Sequence, residues 1–160
     1  MIDWERISCF KAMTEQDREE IRAACLADLH AQGARAYALG LCVFILGIDS
    51  RQINDVYIHF IPSIKGAGNW VVTYQDQPVP LMPSVRGAFM RYLQTEARFE
   101  KYLKGEIPSN GAVLPLFVST SHKTEGSPLK TTYFIFRDCL RRIGYDGKWL
   151  KLPDLQILKA

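Results

Sequence analysis

Between Thr14 and Ala31, apolar residues recur every four positions, at Ile21, Cys25 and Leu29, while Glu19, Glu20, Arg22 and Asp28 fill the other side. That period predicts a helix with one buried face. Thr14 is its expected N-cap, and Glu15 and Asp17 lie in the first turn, where acidic groups suit the positive end of the helix dipole. Gln32-Gly33 breaks the pattern. From Ala34 to Leu46 the chain is apolar nearly all round, which predicts a helix packed on several sides. Gly47 ends it, and Asp49 or Ser50 can then cap a short third helical piece containing Arg51, Ile53, Asn54 and Val56.

The pattern then changes to one of strands. Asn69 to Tyr74 is aromatic and β-branched, and Pro78 to Leu81 follows across the polar link Gln75-Asp76-Gln77, which predicts a hairpin. The prolines place the second strand at an edge or near its end. Tyr57 to Ile61 is a candidate third strand, and Ser63 to Gly68 is a loop by its glycines. Ser84 is expected to cap a helix over Val85 to Leu103, striped by Val85, Phe89, Tyr92 and Leu93, with Glu100 and Lys104 as a favourable i,i+4 pair. Gly105 stops it. Residues 105–113 read as a polar loop, 114–118 as a short apolar insertion into the core, and 119–126 as loop. The last helix has the clearest limits: Ser127 as cap, Pro128 at the first position, an apolar stripe of Leu129, Tyr133, Phe136, Leu140 and Ile143, and Gly144 as the stop. Tyr145 to Ala160 contains no complete element.

Composition narrows the class. The 160 residues are 48% hydrophobic and 23% charged, which suits one globular domain, 1–160, and excludes a disordered or fibrous chain. The net charge of +3 and pI of 8.7 permit nucleic-acid binding and fit an ordinary solvated surface equally well. Dedicated nucleic-acid domains tend to exceed a pI of about 9 and gather their charge on one face. Cys9, Cys25, Cys42 and Cys139 form no Cys-x-x-Cys pair, and His30, His59 and His122 are scattered, so no metal site and no cofactor are expected. Free cysteines of this kind fit a reducing cytoplasm. Met1 to Arg6 is charged where a secretory signal would be apolar. The longest apolar run, Ala36 to Ile48, falls short of the roughly 20 residues a bilayer needs, so no membrane partner is expected.

Several short motifs occur in a meaningful order. Met13-Thr14-Glu15-Gln16-Asp17 resembles an "L-T-x-x-E" helix start. Leu46-Gly47 followed by Arg51-Gln52-Ile53-Asn54 resembles a distorted "T-G-L-R-x-x-E". Trp70-Val71-Val72 and Val79-Pro80-Leu81 resemble a hairpin ending in "V-P-L", and Leu116-Phe117-Val118-Ser119 and Ser127-Pro128-Leu129 resemble "L-F-x-S" and "P-L-S". In this order they resemble the catalytic domain of the tyrosine recombinases, the phage-integrase family, over residues 8–147, with 148–160 as a tail. The resemblance implies a mixed α/β fold, mostly helical with a small antiparallel sheet and incomplete at the C-terminus. It also implies double-stranded DNA as partner. The N-terminal DNA-clamping domain usual in the family is expected to be missing.

In that family a tyrosine hydroxyl attacks a DNA phosphodiester, two arginines and usually a histidine stabilise the developing charge, and a hairpin lysine can protonate the leaving oxygen. Arg51 is the candidate remnant of the first arginine, two residues later than the family spacing, with Asn54 in place of the usual acid. The plainer reading is a surface arginine near a helix start. The hairpin turn Thr73-Tyr74-Gln75-Asp76-Gln77 lacks a lysine, and Lys65 precedes the first strand. Pro153-Asp154-Leu155-Gln156 stands where "H-x-L-R" is sought, and no tyrosine follows Tyr145. Such groups act as a unit, so a chain without them is expected to neither cut nor join DNA.

Two functions remain open. One is a DNA-binding remnant of low specificity using Arg51, Lys123, Lys130, Arg137 and Arg141, with Arg137 and Arg141 one turn apart. The plainer alternative is a solvated helix face with Arg141 and Arg142 near the negative end of the dipole. The other is a protein-interaction module that pairs with itself or with a full-length recombinase, its tail residues Trp149, Leu150, Leu152, Leu155, Ile157 and Leu158 filling an apolar groove. No phosphate-cradling loop or nucleophile elbow points to an unrelated enzyme.

Overall fold

The computed structural model describes residues 15–48, 50–63, 66–119, 126 and 133–142. These residues are mixed α/β, with helices and a small four-stranded antiparallel sheet. They divide into two compact units. One runs up to Gln52 and resumes at Thr131; the other spans Ile53 to Lys130.

The helical unit begins with α1, Glu15–Ala31. Ile21, Cys25 and Leu29 are buried along one face and Glu19 and Glu20 are exposed, as the period of four requires. The expected cap, Thr14, lies outside the described residues. Gly33 turns the chain with φ of 120°, a conformation open to glycine at little cost. Helix α2, Ala34–Gly40, returns against α1. A Cβ on Gly40 would run into Leu29 Cδ1, so any other residue there would require the Leu29 side chain to shift.

The predicted single helix from Ala34 to Leu46 is corrected at this point. It widens into a π-helical segment, Leu41–Ile45, in which the Leu46 N–H reaches back five residues to the Leu41 carbonyl at 2.9 Å. Widening of this kind changes which carbonyls keep an intrahelical partner. The Arg22 guanidinium donates to the Phe44 carbonyl at 3.4 Å, and the Ile48 N–H donates to the Cys42 carbonyl at 2.8 Å. Leu41, Cys42, Val43 and Phe44 are all buried, matching the apolar run in the sequence.

A 3-10 stretch, Ser50–Asp55, follows, kinked at Gln52 (φ −111°, ψ 20°) where one unit gives way to the other. The sheet unit starts with β1, Val56–Ser63, which pairs with β2, Gly66–Tyr74; strand β3, Gln77–Pro78, lies beyond β2. The β2–β3 turn places Gln75 and Asp76 at φ of 52° and 61°, the positive values that a two-residue hairpin demands. The predicted hairpin is therefore present, with a second strand of two residues. Pro78 ends it, and β3 is an edge strand.

Two further expectations are corrected here. Helix α3, Pro83–Thr95, is preceded by Met82 in extended conformation, so Pro83 and not Ser84 opens it. It stops eight residues earlier than predicted. Glu96 is extended, the Thr95 hydroxyl donates to the Tyr92 carbonyl at 2.6 Å, and a 3-10 turn, Ala97–Phe99, leads into the short helix α4, Glu100–Leu103. The second correction concerns residues 112–115, read as part loop and part apolar insertion. They form strand β4, Ala112–Pro115, which pairs with β1 and gives the order β3-β2-β1-β4.

The core of this unit lies on one face of the sheet. Val56, Ile58 and Phe60 alternate inward along β1, opposite Trp70 and Val72 of β2. Phe60 stacks on Tyr102 at 4.9 Å and meets Phe99 at 5.8 Å, while Tyr92 of α3 stacks on Phe117 at 5.2 Å. Helix α5, Tyr133–Arg142, belongs to the helical unit and packs against α1. The predicted start of this helix at Ser127-Pro128 lies outside the described residues.

Candidate nucleic-acid interface

Helix α5 is held by its inner face. Cys139 is fully buried, and its thiol donates to the Cys25 carbonyl of α1 at 3.2 Å. The neighbouring Cys139 thiol and, after it, burial push the Cys25 thiol well above its ordinary range; burial alone does the same for Cys42. Cys25, Cys42 and Cys139 are free and buried, so they pack as small hydrophobes.

A residue two positions from Cys139 lies about 200° round the helix, on the opposite side. Arg141 occupies that position; it is exposed and has no partner among the described residues. Arg137, one turn earlier, shares that side by backbone position, and its side chain is outside the described set. Arg142 is exposed too but committed: its guanidinium pairs with Asp28 at 3.1 Å, and Asp28 also accepts from Gln32 at 2.7 Å. The neighbouring α1 exposes Glu19 and Glu20, with Arg22 paired to Glu19, so a polyanion could approach only the outer side of α5.

The other sequence-based candidates are distributed as follows. Arg51 lies in the 3-10 stretch, where only the backbone is described. Lys123 and Lys130 fall outside the described residues, as do Tyr145 and Pro153 to Gln156. The structure therefore gives a side-chain position for one of the five candidates, Arg141. At the hairpin, the two tip residues are Gln75 and Asp76, both exposed, so an acid stands where the resemblance seeks a lysine.

The sequence reading did not single out Arg86 and Arg98 of the sheet unit, which prove to be structural, whereas Arg91 of α3 is exposed without a partner among the described residues. Arg98 donates to the carbonyls of Pro115 and Leu116 and pairs with Glu96 at 3.4 Å. The Tyr92 hydroxyl also donates to Leu116, at 2.7 Å. Arg86 lies 3.9 Å over the Trp70 ring and donates to Asn69 Oδ1 at 2.9 Å, while that oxygen also accepts from the Trp70 N–H at 2.8 Å. Lys104 pairs with Glu100 at 3.0 Å as predicted, and that hydrogen bond raises its pKa. Each of these contacts except Lys104–Glu100 and Arg98–Glu96 joins residues distant in sequence or involves the backbone, so no local signal marks them. His59 has a spatial partner that sequence could not show, Thr73 Oγ1 at 3.0 Å.

Two open clefts of about 510 and 460 Å³ flank α4. Of their charged lining residues, Glu96 pairs with Arg98 and Glu100 with Lys104, while Lys101 lies over the Tyr102 ring and Glu106 completes the lining of the first cleft. Among the described residues no group of three His, Cys, Asp or Glu side chains could hold a metal ion, and no helix is long and apolar enough to cross a membrane. No protein-family model, curated protein or solved structure matches this chain.

Proposed function

We propose that this chain is a DNA-binding module, similar to the catalytic domain of a tyrosine recombinase, that does not cut DNA. The observation that carries the reading is the outer side of α5. Among the described residues Arg141 is exposed there without a partner, whereas Arg22, Arg86, Arg98 and Arg142 are committed to carbonyls, a ring or carboxylates. An uncommitted guanidinium on a helix face is free to meet a phosphate. The element order also supports it: helix, apolar helix, short Arg51-bearing piece, hairpin, helix and final helix follow one another as the resemblance implies. The absence of cleavage rests on Asp76 at the hairpin tip and on Pro153 and Gln156 in place of the sought His and Arg. A carboxylate beside a phosphodiester repels it and cannot replace a lysine as a proton donor at neutral pH.

The test is charge reversal. The double change Arg137→Glu and Arg141→Glu should abolish binding to duplex DNA while the far-ultraviolet circular dichroism is unchanged. Equal affinity in the variant would reject this surface. Nicking of supercoiled DNA that is lost in Arg51→Ala would reject the non-cutting reading.

A further inference from the structure

The helical unit is discontinuous in sequence: the sheet unit, Ile53 to Lys130, interrupts it, and α5 returns to α1 only afterwards. Two contacts set the register of that return. The Cys139 thiol donates to the Cys25 carbonyl at 3.2 Å, and the Arg142 guanidinium donates to Asp28 at 3.1 Å. Both contacts join residues 114 positions apart. Asp28 and Arg142 each lie three residues beyond a cysteine, on the same helix face as that cysteine. Helices α1 and α5 therefore run side by side in step. The ion pair stands at the solvent margin, and both cysteines lie inside with 0% exposure.

The two thiols are neighbours. Cys139 is the first cause that keeps the Cys25 thiol protonated, ahead of burial, whereas for Cys42, just as buried, burial is the whole cause. A single buried cysteine is an inert small hydrophobe. Two that meet across separate helices are the reactants of a disulfide. A metal ion is the poorer occupant, because it needs both sulfurs as thiolates inside an apolar core. Among the described residues no third His, Cys, Asp or Glu joins them as a ligand. A disulfide is uncharged and leaves no desolvated ion behind.

We propose that Cys25 and Cys139 are a redox-sensitive pair that closes into a disulfide and locks α5 onto α1. With a hydroperoxide as oxidant, one thiol sulfur attacks a peroxide oxygen; the O–O bond breaks, a sulfenic acid forms and water leaves. The second thiol attacks the sulfenic sulfur; the S–S bond forms, the S–O bond breaks, and the thiol proton leaves with the hydroxyl as a second water. Two electrons pass from the thiols to the peroxide. The bond spans a separation of 114 residues that contains the whole sheet unit. Closing so long a loop removes much conformational freedom from the unfolded chain. Burial slows the reaction while the helices are together, so the sulfurs react when α5 parts from α1, and the Asp28–Arg142 pair opposes that opening. Whether the pair is held as dithiol or disulfide follows the redox poise around the chain. The inference is independent of the DNA reading.

Hydrogen peroxide added to the native full chain, followed by alkylation of the remaining thiols and peptide mass mapping, tests it. A peptide pair joined through Cys25 and Cys139 is expected, with Cys42 still alkylated and the link reversed by dithiothreitol. The linked chain should melt at least about 5 °C above the reduced chain. Cys139→Ala should lose both the link and the rise in melting temperature, and circular dichroism before treatment checks that the variant folds. Arg142→Met, which removes the ion pair, should speed linkage roughly two- to fivefold; an unchanged rate would overturn the gating by α5. Wild-type cysteines 25 and 139 that stay free, or that oxidise singly to sulfinic acids, would overturn the inference. So would a link through Cys9 or Cys42, or a link that leaves the melting temperature unchanged.

Discussion

Arg86 and Arg98 of the sheet unit and Arg141 of the helical unit are used in opposite ways. In the sheet unit, Arg98 and Arg86 are turned onto the backbone and side chains at the margins of the sheet, where they close edges that would otherwise template further strands. In the helical unit, Arg22 and Arg142 are tied to α1 and its surroundings, but the far side of α5 keeps Arg141 exposed without a partner among the described residues. A count of basic residues treats all of these as equivalent. Their hydrogen bonds separate cations that maintain the fold from exposed ones, Arg141 of α5 and Arg91 of α3, that have no partner among the described residues, and the mild net charge of +3 conceals that difference.

Core substitutions sharpen the comparison because each unit has its own packing device. The largest effect is expected from Phe60→Ala, which removes the ring shared by Phe99 and Tyr102 and should destabilise the sheet unit by about 3–5 kcal/mol. Hydrogen exchange read segment by segment should show the lost protection concentrated in β1 and β2. Equal loss in α1 would mean that the two units unfold as one. Next is Gly40→Val, which forces a side chain into Leu29 and should destabilise the α1–α2 pair by roughly 1–3 kcal/mol through overpacking, measured by urea unfolding. The smallest is Arg98→Met, at about 1 kcal/mol, because Tyr92 still serves the Leu116 carbonyl and water can reach that of Pro115. Its more telling consequence is exposure of the β4 edge. Light scattering should rise on warming in this variant and not in Gly40→Val; the reverse order would show that Arg98 does not guard the edge.

The parts of the fold that were legible in the sequence are those fixed by local periodicity. The spacing of Ile21, Cys25 and Leu29 marks α1, Gly33 marks its end, and the β-branched and aromatic residues of 57–61 and 69–74 mark β1 and β2. Pro78 correctly places β3 at an edge. The features that were not legible depend on contacts made across the chain. Strand β4 has four residues, exposes Val113 and Pro115, and exists because β1 offers it an edge. The π widening at Leu41–Ile45 and the break at Glu96 sit inside runs whose apolar pattern continues through them. At the candidate site, the position of Arg137 and Arg141 on one side of α5 follows from helical spacing alone. That Arg142 is taken by Asp28, 114 residues away in sequence, does not. Sequence could therefore nominate the arginines of α5 but could not separate Arg141, which has no partner among the described residues, from the committed Arg142.

The most direct test of the central claim is fluorescence anisotropy of a labelled DNA duplex titrated with this chain across a salt series. The account predicts micromolar binding whose logarithm falls linearly with the logarithm of salt, with a shallow slope reflecting the few phosphates that a single helix face can neutralise. No binding at low salt, or binding that salt does not weaken, would contradict it.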